Sequence, residues 1–203
     1  FMKWGRELAF GHDLSSLRLL GSVGEPINPE AWRWYRLVFG GDATPIVDTW
    51  WQTETGAAMI SPLPGVTNCK PGSAMRPLPG ISAKIVDDDG NDVPRGETGE
   101  LCFHRSNIIP GYWRQEGRLE AAIRGEWFFT GDFAVCDEHG YFYVRGRKKE
   151  MIIVAGQNVY ALEVESVILR HPDVCEVAVV GVEATGARAA LGELVKAVIV
   201  PQP

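Results

Sequence analysis

Residues 17–51 read LRLLGSVGEPINPEAWRWYRLVFGGDATPIVDTWW, and their pattern decides the fold class. Apolar residues over 17–23 have the pattern of a short buried strand, which Gly24-Glu25-Pro26 interrupts. Asn28 is then placed to cap a helix with Pro29 at its first position, where a missing N–H costs nothing and the fixed φ is already helical. Ala31, Trp34, Tyr35 and Val38 recur at the spacing of one helical face, and Gly40-Gly41 ends the helix. A second strand-like run covers 45–51. Strand, helix, strand is the unit that sets two parallel strands side by side, because a parallel pair needs a crossover between its strands.

Downstream the period changes. From about Gly72 to Val144 short alternating runs are split by turns such as Asp88-Asp89-Gly90-Asn91 and Glu138-His139-Gly140, the pattern of an antiparallel sheet or small barrel. After the basic run Arg145-Gly146-Arg147-Lys148-Lys149 come a strand over 151–154, a helix with Val164, Val167 and Ile168 on one face, and strands over 174–182 and 194–200. The expected class is therefore mixed α/β (α+β), with one domain over 1–148 and the start of a smaller one over 149–203. Asp87-Asp88-Asp89-Gly90 does not fit a calcium loop, whose first and last ligand positions would fall on Ile85 and Gly96, so it reads as a hydrated hairpin turn.

Composition narrows the partners. Twenty Lys and Arg against 26 Asp and Glu give a net charge of -6, which argues against a broad nucleic-acid surface. No run approaches the roughly 18 apolar residues of a membrane helix, and Phe1-Met2-Lys3-Trp4 does not begin a secretion signal. Cys69, Cys102, Cys136 and Cys175 are scattered without a C-x-x-C, which fits a reducing, cytoplasmic setting and no zinc knuckle. The four histidines make no ligand pair at helical spacing. A start at Phe and an end just after a strand-like run suggest a piece of a longer chain. The oligomeric state is left open.

In a parallel sheet, ligands bind beyond the carboxyl ends of the strands, where loops and helix starts present unpaired backbone donors. Two loops share that edge: Gly24-Glu25-Pro26, and Gln52-Thr53-Glu54-Thr55-Gly56 with two hydroxyls and a carboxylate. The second set suits phosphate oxygens and a hard divalent cation, although spacing alone favours capping and turn roles.

Four segments then carry a resemblance: Gly21-Ser-Val-Gly-Glu-Pro-Ile-Asn-Pro-Glu-Ala-Trp32, Val47-Asp-Thr-Trp-Trp-Gln-Thr-Glu-Thr-Gly56, Trp127-Phe-Phe-Thr-Gly-Asp132 and Gly146-Arg-Lys-Lys-Glu150. In order, they resemble the motifs of adenylate-forming acyl-CoA synthetases, the first two being most similar to the acetyl-CoA synthetase branch. The resemblance implies the end of a large nucleotide- and acyl-binding domain followed by a small mobile one. It implies a two-step reaction, in which a carboxylate attacks the α-phosphate of ATP and the thiol of CoA then displaces AMP. It also implies ATP/AMP, Mg2+ and CoA as the molecules bound, and the charge balance already argues against a nucleic-acid partner.

Each matched residue inherits a task from that resemblance. Gly24, Glu25 and Pro26 wall the adenine, and Asp48 holds its side with Thr49, Trp50 and Gln52 in the same nucleotide-binding stretch; the indole of Trp50 also reads as core. Thr53 donates to phosphate, and Glu54 holds magnesium. Asp132 accepts from both ribose hydroxyls, although the residues alone would favour a turn role, and Arg147 contacts the nucleotide, its alternative being a solvated member of the basic run. Thr53, Glu54 and Arg147 form the expected catalytic set. Lys149 falls at the hinge of the small domain. Gly156 and Asn158 line the pantetheine path, where a plain turn glycine would look the same, and Trp51 closes the acyl pocket.

Some positions depart from the family pattern. Its Gly-rich phosphate loop and its catalytic lysine are absent from this sequence, so the 203 residues alone are expected to be inactive. The acetate branch usually has arginine at Asn158 and aspartate at Lys149, and Asn158-Val159-Tyr160 is more similar to medium-chain and aryl branches. A short-chain acid such as acetate is the expected substrate because Trp51 bears on the pocket. The alternatives are a medium-chain or aryl acyl-CoA ligase, an adenylation domain that loads a carrier protein, and a non-catalytic nucleotide-binding module.

Overall fold

The computed structural model describes residues 2–202. The chain divides into two units: the first runs to Thr130 and resumes over Ala134–Val144, and the second holds Gly131–Phe133 and everything from Arg145 onward. In the first unit a short helix α1 (Glu7–Phe10) precedes β1 (Leu20–Val23), α2 (Pro29–Gly40) and β2 (Ile46–Thr49). β1 and β2 are parallel, with Leu20 opposite Ile46 and Val23 opposite Thr49, as the strand-helix-strand reading requires. Asn28 caps α2, its Oδ1 accepting the Glu30 N–H at 2.8 Å, with Pro29 in the first turn. Gly41 closes the helix at φ 55°, a left-handed conformation that a side chain would strain.

The buried face of α2 includes Val38 and Tyr35 as expected, but its main aromatic is Trp32 and not Trp34. Trp32, 3% exposed, packs with Leu20 and Ile46, flanked by Tyr35 and Phe39, whereas Trp34 is only half-buried, with its ring against Phe39. Trp32, Tyr35 and Phe39 lie at i, i+3 and i+7 and so form a stripe as good as the predicted one; the sheet face selects between them.

An antiparallel sheet follows, in the region where alternation predicts one. Its strands are β3 (Ala83–Val86), β4 (Thr98–His104), β5 (Ile123–Arg124), β6 (Trp127–Cys136) and β7 (Phe142–Arg147), ordered β3-β4-β6-β5 with β7 also on β6. Its core gathers Trp50, Met59, Ile60, Ile85, Leu101, Phe103, Ala134 and Phe142. The Asp87 turn is a hydrogen-bonded loop, with Oδ1 accepting the Asn91 N–H at 2.8 Å.

The second unit contains β8 (Ile152–Val154), β9 (Gln157–Val159), α3 (Ala161–Ile168), β10 (Val174–Glu183) and β11 (Glu193–Pro201). β8 and β9 form a hairpin whose turn residues Ala155 and Gly156 both have positive φ, 50° and 79°. β10 and β11 pair antiparallel along nearly their whole length. Val167, expected on the buried face of α3, is 63% exposed. The break between units falls at Val144/Arg145, four residues before the expected one, because the end of β7 belongs with the second unit. There Arg145 pairs with Glu163 at 3.1 Å and Arg147 with Asp132 at 3.1 Å, while Phe133 meets Tyr160 edge to face. Among the described residues, no helix is long and apolar enough to cross a membrane.

Candidate functional site

Because β1 and β2 run parallel in register, the loops that leave them, 24–26 and 50–56, emerge from the same edge. Gly24 has φ 104°, and Gly24, Glu25 and Pro26 are exposed there. Strand alternation sorts the residues of β2 and its extension. Ile46, Asp48, Trp50 and Gln52 point into the protein, and Val47, Thr49 and Trp51 point to the other face.

On the inner face Asp48 is 5% exposed. Burial pushes its carboxyl from the ordinary 3.8 up to about 6, against the opposing effect of hydrogen bonds from the Ser22 hydroxyl and the Thr49 N–H. Trp50 stacks on Phe103 at 4.8 Å, and its backbone N–H and C=O are both engaged, with Ile60 and Met59. The Trp50 side chain is thus packed in the core, in line with the second of the two roles expected for it.

Gln52 is likewise a builder of the loop. Its Nε2 donates to the Thr130 C=O at 3.1 Å, and it forms a reciprocal cap with Thr55 across the turn Thr53–Thr55. Thr55 is buried, its hydroxyl within 2.8 Å of the C=O groups of Gln52 and Ala57. These bonds leave Thr53 exposed on the tip of the turn. Glu54 is half-buried; its C=O accepts the Ile109 N–H at 2.8 Å, and its Oε1 accepts a hydrogen bond from the Tyr112 hydroxyl. Sequence reasoning passes over Tyr112, because no spacing rule links positions 58 residues apart.

On the outer face lies an open cleft of about 580 Å³, with Gly21, Val23, Thr49, Trp51 and Ala58 among its walls. Trp51, 48% exposed, presents its indole to that cleft. The Thr49 hydroxyl is 3.0 Å from the Ser61 hydroxyl, which fixes its rotamer.

In the second unit Asp132 is buried on β6, with Oδ1 at 3.1 Å from Nε of the half-exposed Arg147. Two residues predicted from separate motifs are thus neighbours. Lys149 is exposed in the turn Lys148–Glu150, Gly156 sits at the tip of the β8-β9 hairpin, and Asn158 is exposed on β9 opposite Ile153. Among the described residues, no three His, Cys, Asp or Glu side chains gather into a metal cluster.

Residues 2–113, which hold the βαβ unit, both loops and Tyr112, match the profile of the AMP-binding enzyme family. The chain belongs to that family. This AMP-binding chain is 53% identical over 194 residues to an acetyl-coenzyme A synthetase of Streptomyces coelicolor, a match that covers 92% of the chain and 30% of that relative. It therefore spans about 30% of the length of the curated relatives it matches. Its fold superposes on the crystal structure of the anthranilate CoA ligase AuaEII in complex with anthranoyl-AMP, with a TM-score of 0.82 and 33% identity, covering 99% of this chain and 38% of that one. ATP-bound MatB from Rhodopseudomonas palustris gives a TM-score of 0.79 and 34% identity, covering 90% and 35%.

Proposed function

We propose that the protein carrying this segment is an AMP-forming acyl-CoA ligase for a short-chain carboxylic acid such as acetate. The observation that carries the reading is the split of β2 into two faces: Trp51 presents its indole to a cleft while the Thr53–Thr55 turn begins two residues later. Such a strand end can bring a carboxylate to a phosphate. A bulky indole at the cleft wall favours a small acyl group. The match to acetyl-coenzyme A synthetases supports the same choice.

In the first step the substrate carboxylate attacks the α-phosphate of ATP and pyrophosphate leaves. Gly24, Glu25 and Pro26 wall the adenine beside Asp48 and Thr49, and Thr53 donates its exposed hydroxyl to phosphate. Glu54, a half-buried carboxylate on the same turn, would be the protein's ligand to Mg2+, a hard cation that commonly takes only one or two carboxylates from the protein. Held there, it would supply positive charge against the pyrophosphate that leaves. Asp132 accepts the ribose hydroxyls and Arg147, its ion-pair partner, contacts the nucleotide.

In the second step the CoA thiol attacks the acyl carbonyl of the adenylate and AMP leaves. Lys149 is the hinge about which the small domain turns between the two steps, and Gly156 and Asn158 line the pantetheine path. The 203 residues alone do not turn over, because they lack a Gly-rich phosphate loop and the adenylation lysine.

A second reading, a ligase for medium-chain or aromatic acids, is favoured by Asn158 and by the likeness to an anthranilate ligase. ATP-pyrophosphate exchange with acids from acetate to octanoate and benzoate tests both on the full-length protein. Exchange greatest with acetate supports the first reading, greatest exchange with octanoate or benzoate supports the second, and none with any acid refutes both.

A further inference from the structure

The bond between Tyr112 and Glu54 joins two segments 58 residues apart and ends on the carboxylate to which the proposed function gives the cation. We infer that Tyr112 is a positioning residue: its hydroxyl holds Oε1 of Glu54 and so fixes the carboxylate in a rotamer that would present Oε2 to a divalent cation. The inference rests on that reading of Glu54.

Three features make the contact a built one. The Ile109 N–H donates to the Glu54 C=O at 2.8 Å, so the segment leading to Tyr112 is fastened to the turn through backbone as well as side chain. The guanidinium of Arg118 lies over the Tyr112 ring, 4.5 Å from its centroid, and is itself bonded to Gln115 Oε1, so the ring is held by a neighbour as well as by Glu54. Glu54 itself stands in a three-residue turn that Gln52 and Thr55 cap reciprocally, so its backbone is fixed before any ligand arrives.

A lone carboxylate on a solvent-facing turn samples several rotamers and can offer a cation both oxygens or neither. A neutral O–H donor to one oxygen selects one rotamer without removing the negative charge. A cation that takes one protein oxygen keeps its remaining positions for phosphate and water, the habit of magnesium at nucleotide sites. Partners of this kind, which hold a ligand in place without touching the metal, change metal affinity by on the order of tenfold or more when removed.

The test uses the full-length protein with Mn2+ as the probe and a non-hydrolysable ATP analogue as the nucleotide. Mn2+ binding to the protein-nucleotide complex is read by electron paramagnetic resonance, and analogue affinity without metal by calorimetry. Tyr112→Phe keeps the ring and its stacking on Arg118. It is expected to weaken Mn2+ binding about tenfold while leaving metal-free nucleotide affinity and the near-ultraviolet circular dichroism unchanged. Glu54→Gln is expected to weaken Mn2+ more than Tyr112→Phe does, and the double variant no more than Glu54→Gln alone.

If Glu54→Gln weakens Mn2+ and Tyr112→Phe does not, the positioning role is overturned and the assignment of Glu54 stands. If Glu54→Gln leaves Mn2+ binding unchanged, that assignment falls and the Tyr112 inference falls with it. An equal loss of nucleotide affinity with and without metal makes Tyr112 a loop anchor and overturns the inference as well.

Discussion

Replacing Asp48 by Asn is expected to remove a loss of stability that the native protein suffers as pH rises from 4 to 7. Asp48 is 5% exposed, and burial raises its carboxyl from 3.8 to about 6 despite two hydrogen bonds to its ionised form. The folded state thus holds this proton more tightly than the unfolded state does. The stabilisation is complete below the unfolded value and is lost as pH climbs through about 6. At 1.36 kcal/mol per pH unit between the two values, the total is about 3 kcal/mol. Asn has nearly the same shape, and its carbonyl oxygen can still accept from the Ser22 hydroxyl or the Thr49 N–H, so the variant keeps the packing and lacks only the titration. The assay is urea unfolding followed by tryptophan fluorescence at half-unit steps from pH 4 to 7, with native stability minus variant stability plotted against pH. Because the range starts just above the unfolded value, that difference should fall by roughly 2–2.5 kcal/mol of the total, most of it below pH 6.5. Subtraction cancels groups common to both proteins. One of them is Asp137, which burial would raise but which the Lys70 ammonium and the N–H groups of Tyr141 and His139 hold down at about 2, so that its contribution is lost only in stronger acid. A difference that is flat or rises with pH would refute the reasoning about Asp48.

Asp132→Ala in the full-length protein should weaken ATP binding by at least tenfold, since each hydrogen bond to a charged acceptor is worth about 1.5–3 kcal/mol. Calorimetric titration with ATP checks this, and unchanged affinity would return Asp132 to a structural role. Trp51→Gly should raise the octanoate-to-acetate ratio of kcat/KM by orders of magnitude, because each accommodated methylene is worth about 1–3 kcal/mol. A ratio identical to that of the parent enzyme excludes the indole as the limiting wall. Lys149→Pro should spare pyrophosphate exchange and slow thioester formation, as proline restricts the rotation that a hinge must absorb; an equal loss of both half-reactions argues against a hinge there. Gly99→Ala should destabilise the β3-β4 pair, since an added Cβ would lie 2.4 Å from the Val86 carbonyl oxygen, a backbone atom that cannot turn aside. Thermal unfolding checks it, with an expected cost of about 1–3 kcal/mol or more.

The features that sequence alone determines are those whose interactions close within a few residues. Asn28 caps the helix that Pro29 opens, Asp87 ties its own turn through Asn91, and the strands flanking α2 pair in parallel because a crossover of that length permits it. The motif order from Gly21 to Glu150 likewise belongs to the linear chain and suffices for the family. The candidate site is legible as a set of residues: the Thr53–Thr55 turn, Asp132 and Arg147 are all marked by their neighbours in sequence. What each side chain does is not. Trp32 rather than Trp34 faces the sheet, because two helical stripes were equally apolar and only the shape of the opposing strands could choose between them. Trp50 and Gln52 turn inward while Trp51 faces the cleft, a division that follows from where strand alternation meets the core. The elevated carboxyl of Asp48, the pairing of Asp132 with Arg147 and the hydroxyl of Tyr112 on Glu54 depend on burial and on contacts between distant segments. Desolvation and long-range hydrogen bonds exist only once the chain has closed on itself, and for that reason tertiary structure alone decided them.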